Sequence, residues 1–408
     1  MRINIIIKSL SCLLIACFVL SHTIYGAPAS PTVKADSAIL VDALRGQILY
    51  QKSTSKKLHV STACKIMTAL IVIDKAKLDA KVTISKESTS NEKSNLNLEV
   101  GEKYTVENLL FAIILSSAND ASNALAEYVG GDIEKFVVLM NNKAKALNMK
   151  NTNFTNPSGV YDQSQYTTAY DLALLIRHAV SIPAFNNIFS SKAITWESSG
   201  KTQLLVNSNK LFWSYDGVDG GKVGYNEKSL QSAITTATRD NMRLISIVLD
   251  TPENTVYTDS TSLFDYGFEN YKSGILVSKG QVLKTTNIGD VSVNLISPSD
   301  IYYTYPIGDN YIKDIEFNIT QKIELPVTKD KTLGTAKYIL KDNITIDVEL
   351  SSDKDIYPPS SLLNKIREKL TENKDIYMLV ILLLSIEALL ILLGLSKFII
   401  KRFLKKQV

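Results

Sequence analysis

Apolar and polar positions change their rhythm several times along this chain. Over residues 38–50, AILVDALRGQILY, two apolar runs flank the glycine-containing stretch 43–46, which predicts strand, turn and strand. KIMTALIVIDKAK follows, with Ile66, Leu70 and Ile73 at i, i+4 and i+7 on one helical face. TVENLLFAIILSSANDASNALAEYV predicts two helices that meet near residues 116–120, the first capped by Thr105. Residues 133–147 form a further helix with Phe136, Met140, Ala144 and Leu147 on one face. NTNFTNPSGV is turn-rich, and Thr168 with Asp171 predicts a capping box for a helix ending near Val180. QSAITTAT and RLISIVLD then read as strands around a turn at Asp240 and Asn241. A strand pair, a helical middle and more strands describe a sheet covered by helices, with a helical subdomain inserted. This domain is assigned to residues 30–270.

Beyond it the pattern shifts to short strands and turns, as in VSVNLI and in ITIDVEL, where Ile344, Ile346, Val348 and Leu350 alternate with polar residues. Residues 271–350 are expected to form a small all-β domain, a pedestal for the first. Residues 351–375 follow as a polar linker, SSDKDIYPP, and a short amphipathic helix, SSLLNKIREKL. Residues 376–396 are then apolar apart from Tyr377, Ser385, Glu387 and Ser396, and in lipid such a backbone is satisfied only as a helix. Lys397, Lys401, Arg402, Lys405 and Lys406 lie in the tail 397–408, so this transmembrane helix should run outward-to-cytoplasm. Glu387, near mid-span, reads either as a contact for a partner helix or as a carboxyl tolerated in a single span.

At the other end MRINIIIK carries Arg2 and Lys8 as a short basic region, and SLSCLLIACFVL is shorter than the ~20 residues a span needs. Residues 1–29 read as a secretory signal cleaved after Ala27 or Ala29. Leu14, Ile15, Ala16 and Cys17 look like a lipid-attachment box, but apolar residues continue through Leu20 as in an ordinary signal. The expected location is the cell membrane, with the main domains extracytoplasmic.

Of the three cysteines, Cys12 and Cys17 fall in the signal, which leaves Cys64 alone and no internal disulfide. Roughly 345 residues suffice for cores without one. The net charge of +4 owes part to the basic tail and makes no case for nucleic acid. His59 and His178 lack acidic or cysteine partners at ligand spacing, so no metal is expected. No Gly-rich phosphate loop occurs, so no nucleotide cofactor is expected either. Trp196 and Trp213 read as core or groove packing.

Three separated stretches carry candidate chemistry: Thr62-Ala63-Cys64-Lys65 at a helix start, Ser117-Ala118-Asn119 at a helix junction, and Lys222-Val223-Gly224 before a strand pair. In this order they resemble the active-site motifs of the serine penicillin-recognising peptidases. The resemblance is closest to the low-molecular-mass penicillin-binding proteins, the D-alanyl-D-alanine carboxypeptidases. KIMTAL, LSSANDASNALAEYVG, FTNPSGV, YTTAYDLALL, VDGGKVGY, RDNMRLISIVLD and LFDYGF extend it over residues 36 to about 350. It implies an α/β domain of the beta-lactamase/transpeptidase-like kind with a helical subdomain, followed by a small all-β domain. The implied substrate is the stem peptide of peptidoglycan.

The resemblance also implies roles. Thr62 stands at the nucleophile position, with Lys65 as its base; positions i and i+3 share a helix face. Ser117 shuttles a proton, and Asn119 holds the substrate amide or Lys65. Lys222 supplies positive charge, Val223 and Gly224 border the substrate groove, and backbone N–H groups of Thr62 and Tyr225 form the oxyanion hole. The first and third motifs depart from the family pattern of Ser-x-x-Lys and Lys-Thr-Gly. Threonine places a methyl where the carbonyl approaches and restricts χ1. Ser61 is an alternative nucleophile at i and i+4 from Lys65. Val223 lacks the hydroxyl that would bind the terminal carboxylate. The family's carboxylate-binding Arg is also missing: residues 251–267 hold no Arg or Lys, Val256 falls near the place, and Arg243 belongs to a strand.

Two functions follow. One is D-Ala-D-Ala carboxypeptidase chemistry weakened by these changes. The other is an inactive, membrane-anchored scaffold or regulator of cell-wall synthesis, working with membrane or wall-synthesis partners.

Overall fold

The computed structural model describes residues 29–89, 94–198, 201–225, 230–289, 291–320, 323–329, 331–358 and 374–404. The basic and apolar parts of the signal, the amphipathic stretch 360–370, and Lys405 and Lys406 lie outside the described residues.

In chain order the first elements are β1 (Ser37–Asp42), β2 (Ile48–Lys52), α1 (Ser61–Lys75), β3 (Lys81–Thr83), β4 (Lys103–Thr105), α2 (Val106–Leu115), α3 (Asn119–Gly130), α4 (Ile133–Ala146), α5 (Ala169–Val180) and α6 (Pro183–Phe189). There follow β5 (Ala193–Ser198), β6 (Lys201–Val206), α7 (Leu211–Ser214), β7 (Val218–Tyr225), β8 (Gln231–Arg239), β9 (Met242–Thr251) and α8 (Thr255–Asn270). The C-terminal part adds β10 (Tyr271–Val277), β11 (Val282–Ile288), β12 (Val291–Ile296), β13 (Ile301–Pro306), β14 (Ile312–Ile319), β15 (Thr332–Leu340), β16 (Thr345–Ser352) and α9 (Lys374–Leu404).

Chain contacts separate two units: Met1–Ser278 with Asp300–Asp314 and Tyr338–Ile346, and Lys279–Ser299 with Ile315–Lys337 and Asp347–Val408. The first is built on an antiparallel sheet in the order β2-β1-β9-β8-β7. Strand side chains alternate between faces, and the two faces feed different cores. Ile39, Val41, Ile245, Ile247 and Leu249 join the helices α1 to α6, whereas Ala38, Leu40, Leu244 and Val248 join Val256, Leu263 and Phe264 of α8. The sheet is therefore sandwiched between helices, as the pattern of apolar runs predicts. The β8–β9 turn has Asp240 at φ 46° and Asn241 at φ 61°, the left-handed pair that matches strand twist in a two-residue hairpin.

α1 is the central helix. Every residue from Thr62 to Val72 is buried, so it has no solvent stripe over those turns. The predicted caps at Thr105 and Thr168 appear with one change. Thr105 Oγ1 accepts from Asn108 N at 3.1 Å, and Asp132 caps α4, whose Phe136, Met140 and Ala144 are buried while Leu147 is its half-buried C-cap. Thr168 Oγ1 accepts from Asp171 N at 3.1 Å, but the Asp171 carboxylate accepts from Asn151 N at 2.7 Å and Thr152 Oγ1 at 2.8 Å. That carboxylate ties down the turn-rich loop rather than closing the capping box.

Trp196 is buried, stacked on Tyr104 at 5.0 Å, and its indole donates to Asn108 O. Trp213 departs from the packing expectation: the single turn of α7 buries Leu211 and Phe212 and leaves Trp213 exposed.

In the C-terminal part, β10 pairs with β13, and five strands pair in the order β11-β12-β16-β15-β14. Ile346, Val348 and Leu350 are buried in alternation along β16, which runs on to Ser352. Ile356 pairs with Val327, so ordered strand contacts continue past Leu350. Within α9, Tyr377–Lys397 is 21 residues long with mean hydropathy 2.8 and no buried share.

Candidate active site

Three local structures bring the candidate residues to one cavity of about 450 Å³. The first is the start of α1, which carries Ser61, Thr62 and Lys65. The second is the α2–α3 junction, where Ser117 adopts φ 57°, a left-handed conformation rare outside glycine. Asn119 N donates to Ser94 O at 2.8 Å, and the Asp120 carboxylate accepts from Leu96 N and Leu98 N. The third is β7, an edge strand of the sheet, carrying Lys222, Val223, Gly224 and Tyr225. All of these residues except Leu96, Leu98 and Asp120 line the cavity.

Lys65 is 5% exposed, and its ammonium donates to Asn119 Oδ1 at 2.7 Å and to the Ser158 carbonyl. Ser158 and Gly159 were not singled out as site residues, although the turn signal of NPSG was visible. Asn156 Oδ1 accepts from Gly159 N at 2.7 Å and Val160 N at 3.1 Å, which holds the turn. Gly159 has φ +80°, and a Cβ there would sit 2.5 Å from Ser61 O. Only glycine lets this loop press against the start of α1 and deliver the Ser158 carbonyl to Lys65.

Lys222 is fully buried. Its Nζ is 2.9 Å from both Ile113 O and Ile114 O, at the end of α2, and 2.6 Å from Ser117 Oγ. Burial holds its ammonium well below the usual lysine range, and the charge of Lys65 lowers it further. Asn119 thus meets Lys65, while Ser117 meets Lys222.

The polar side chains of the first motif have different surroundings. Thr62 is buried, and its Oγ1 has no hydrogen-bond partner. Its methyl faces β7: a Cβ at Gly224 would lie 2.7 Å from Thr62 Cγ2. Ser61 Oγ donates to Tyr225 O at 3.1 Å, so this hydroxyl faces the strand edge. Cys64 is buried in the helical core, and burial pushes its thiol up to about 12.

Val223 is 3% exposed and belongs to the apolar cluster on the α8 face, together with Val256. Its methyls are core packing as well as groove wall. Arg243 is committed elsewhere, to Asp219 Oδ1 at 3.1 Å and Asn186 Oδ1 at 2.8 Å. His59 packs edge-on to Tyr161 and meets Gln165 at 3.1 Å.

Comparison with known proteins fits this geometry. A family model described as D-alanyl-D-alanine carboxypeptidase matches residues 25–253, and one described as the C-terminal domain of penicillin-binding protein 5 matches residues 271–357. The chain is 32% identical over 317 residues to the D-alanyl-D-alanine carboxypeptidase DacF of Bacillus subtilis, which covers 74% of this chain and 80% of that relative. It is 31% identical over 329 residues to DacC of Escherichia coli, across 76% of this chain and 81% of that one. A crystal structure of penicillin binding protein 5 from Haemophilus influenzae matches with a TM-score of 0.69 at 28% identity, over 81% of this chain and 100% of the other.

Proposed function

Because the chain belongs to the D-alanyl-D-alanine carboxypeptidase family, we propose that it binds peptidoglycan stem peptides in this cavity and transfers their acyl group far more slowly than a serine at position 62 would. Thr62 carries this reading: its hydroxyl is buried without a partner and its methyl faces Gly224. In the family reaction the hydroxyl at this place attacks the penultimate D-alanine carbonyl as Lys65 takes its proton. N–H groups of Thr62 and Tyr225 hold the oxyanion, and water then releases the acyl group. Here Lys65 is bonded to Asn119 and Ser158, and the Thr62 hydroxyl makes no hydrogen bond to it or to any other base. A misplacement of ~1 Å is worth ~10²-fold in rate.

Ser117 and Lys222 keep a short contact that suits proton transfer to the leaving amine. Val223 offers no donor to the substrate carboxylate, and the side chain at Val256 is buried in the core.

The organisation proposed with this function is a secreted peptidase-like domain, 30–270, a β domain, 271–350, and a linker, 351–375. Residues 376–396 cross the membrane and the basic tail 397–408 lies inside. Support for the span comes from the length and hydropathy of Tyr377–Lys397. This exposed helix also favours a second reading, in which a chain with negligible turnover acts as a membrane scaffold for wall synthesis.

The test is incubation of the full chain with a fluorescent penicillin, followed by denaturing electrophoresis. A faint or absent band in the wild type and a strong one in T62S are expected. A strong wild-type band that disappears in T62A would overturn slow acylation. A band lost only in S61A would move the nucleophile to Ser61.

A further inference from the structure

The segment that leaves β6 for α7 presents a regular row to solvent. Leu204 and Val206 are 65% and 45% exposed, and Ser208 and Lys210 are exposed too, whereas Leu205, Asn207 and Asn209 between them are buried. The alternation starts in β6 and is carried past Val206 through a bend at Ser208 to Lys210, whose backbone is helical. The buried amides lock it in place. Asn207 Nδ2 donates to Gly221 O at 2.9 Å, Asn209 Nδ2 to Thr235 Oγ1 at 2.8 Å, and Asn209 Oδ1 accepts from Leu211 N at 3.1 Å. The segment is thereby fastened to β7 and β8, and Val206 and Ser208 line the cavity beside Val223 and Tyr225.

The row is graded from apolar, at Leu204 and Val206, to cationic, at Lys210. The Lys210 ammonium lies 3.3 Å from Asn254 Oδ1 and 5.5 Å from the ring centroid of Tyr257. Among the described residues no carboxylate pairs with it. The Tyr257 hydroxyl donates to Ser208 O at 3.2 Å, so the ring that carries the cation is tied to the cavity wall. Asn254 is tied to the same wall: its N–H donates to Gln231 Oε1 at 2.6 Å, and Gln231 Nε2 donates to Tyr225 OH at 2.7 Å. Lys65 and Lys222 are buried and already bonded, which leaves Lys210, among the described residues, as an accessible cation beside this groove.

We propose that Lys210 binds the terminal carboxylate of the peptide held in this groove, and that Val206 and Leu204 pack against its aliphatic side chains. This rests on the groove being a stem-peptide site. It gives a chain without the usual threonine and arginine another means of telling a free carboxylate from a blocked one. A lysine on this exposed row differs from a buried bidentate arginine: it acts as a mobile point charge, so selectivity is modest and weakens with salt.

The experiment measures binding of two fluorescently labelled peptides to the full chain in detergent micelles. One ends in D-alanyl-D-alanine with a free carboxylate, and the other is its C-terminal amide. The wild type is expected to favour the acid by about fivefold at low salt, in the range of an exposed ion pair. K210Q should bind both alike, and K210E should favour the amide. A preference that persists unchanged in K210Q, or equal binding of both peptides by the wild type, overturns the role of Lys210 and leaves the groove intact. No binding of either peptide by the wild type overturns the stem-peptide reading itself.

Discussion

The methyl of Thr62, not its hydroxyl, lies against Gly224: a Cβ added at position 224 would come within 2.7 Å of Thr62 Cγ2 and 3.1 Å of Ser61 Oγ. Helix α1 and strand β7 therefore approach as closely as a glycine allows. Gly224→Ala should destabilise the protein by about 1–3 kcal/mol through overpacking. In a Thr62→Ser background the nearest atom is gone, and the loss should shrink by roughly 0.5 kcal/mol or more. A double-mutant cycle from denaturant titrations followed by tryptophan fluorescence measures this coupling, and strict additivity would count against the contact.

The same methyl predicts a gain of function. In Thr62→Ser the side chain loses both its branched χ1 restriction and its contact with Gly224, so the oxygen is free to turn toward Lys65. Release of D-alanine from a pentapeptide should rise by about 10²-fold over the wild type. The rise should vanish in the Thr62→Ser, Lys65→Ala double variant. If Thr62→Ser changes nothing, the block lies elsewhere.

What was legible in the sequence followed from local rules. The i, i+4 and i+7 spacing of Ile66, Leu70 and Ile73, the Thr105 cap and the Asp240–Asn241 turn each depend on neighbours a few residues away, and each appears as expected. Contacts distant in sequence were not legible. Nothing local says that Ser158 supplies its carbonyl to Lys65, that Asp171 turns back to Asn151, or that Ser61 bonds Tyr225. Val223 could be read from its motif as a missing hydroxyl, but its burial among the residues of the α8 face appears only in three dimensions.

That burial bears on attempts to restore the third motif. Val223→Thr places a hydroxyl beside an apolar cluster at a position only 3% exposed, so it should lower stability by about 1–3 kcal/mol. Acylation should not improve while Thr62 is unchanged. Thermal unfolding and penicillin labelling of the single variant check both parts. A Val223→Thr protein that is equally stable and labels faster would show that the hydroxyl reaches the groove without penalty.

Cys64 should be silent toward thiol reagents in the folded protein. Burial raises its folded pKa to about 12 from 9.0, so the buried thiol stays protonated where an unfolded one ionises. The sign follows from linkage: the stability held by this protonated thiol is complete below pH 9 and is lost as pH rises toward 12. Mass spectrometry after iodoacetamide treatment at pH 8 should find Cys64 unmodified in native protein and modified after denaturation. Rapid native labelling would place the start of α1 in a more open state.

A silent Cys64 also makes the orientation of the chain testable with single cysteines. Tyr357 is 67% exposed in the segment before α9, and Lys405 lies in the basic tail. With Tyr377–Lys397 across the bilayer and the tail inside, a membrane-impermeant maleimide should label Tyr357→Cys in intact cells and label Lys405→Cys only after permeabilisation. Labelling of both in intact cells would remove the span. Labelling of Lys405→Cys alone would invert it and take the cavity away from the wall.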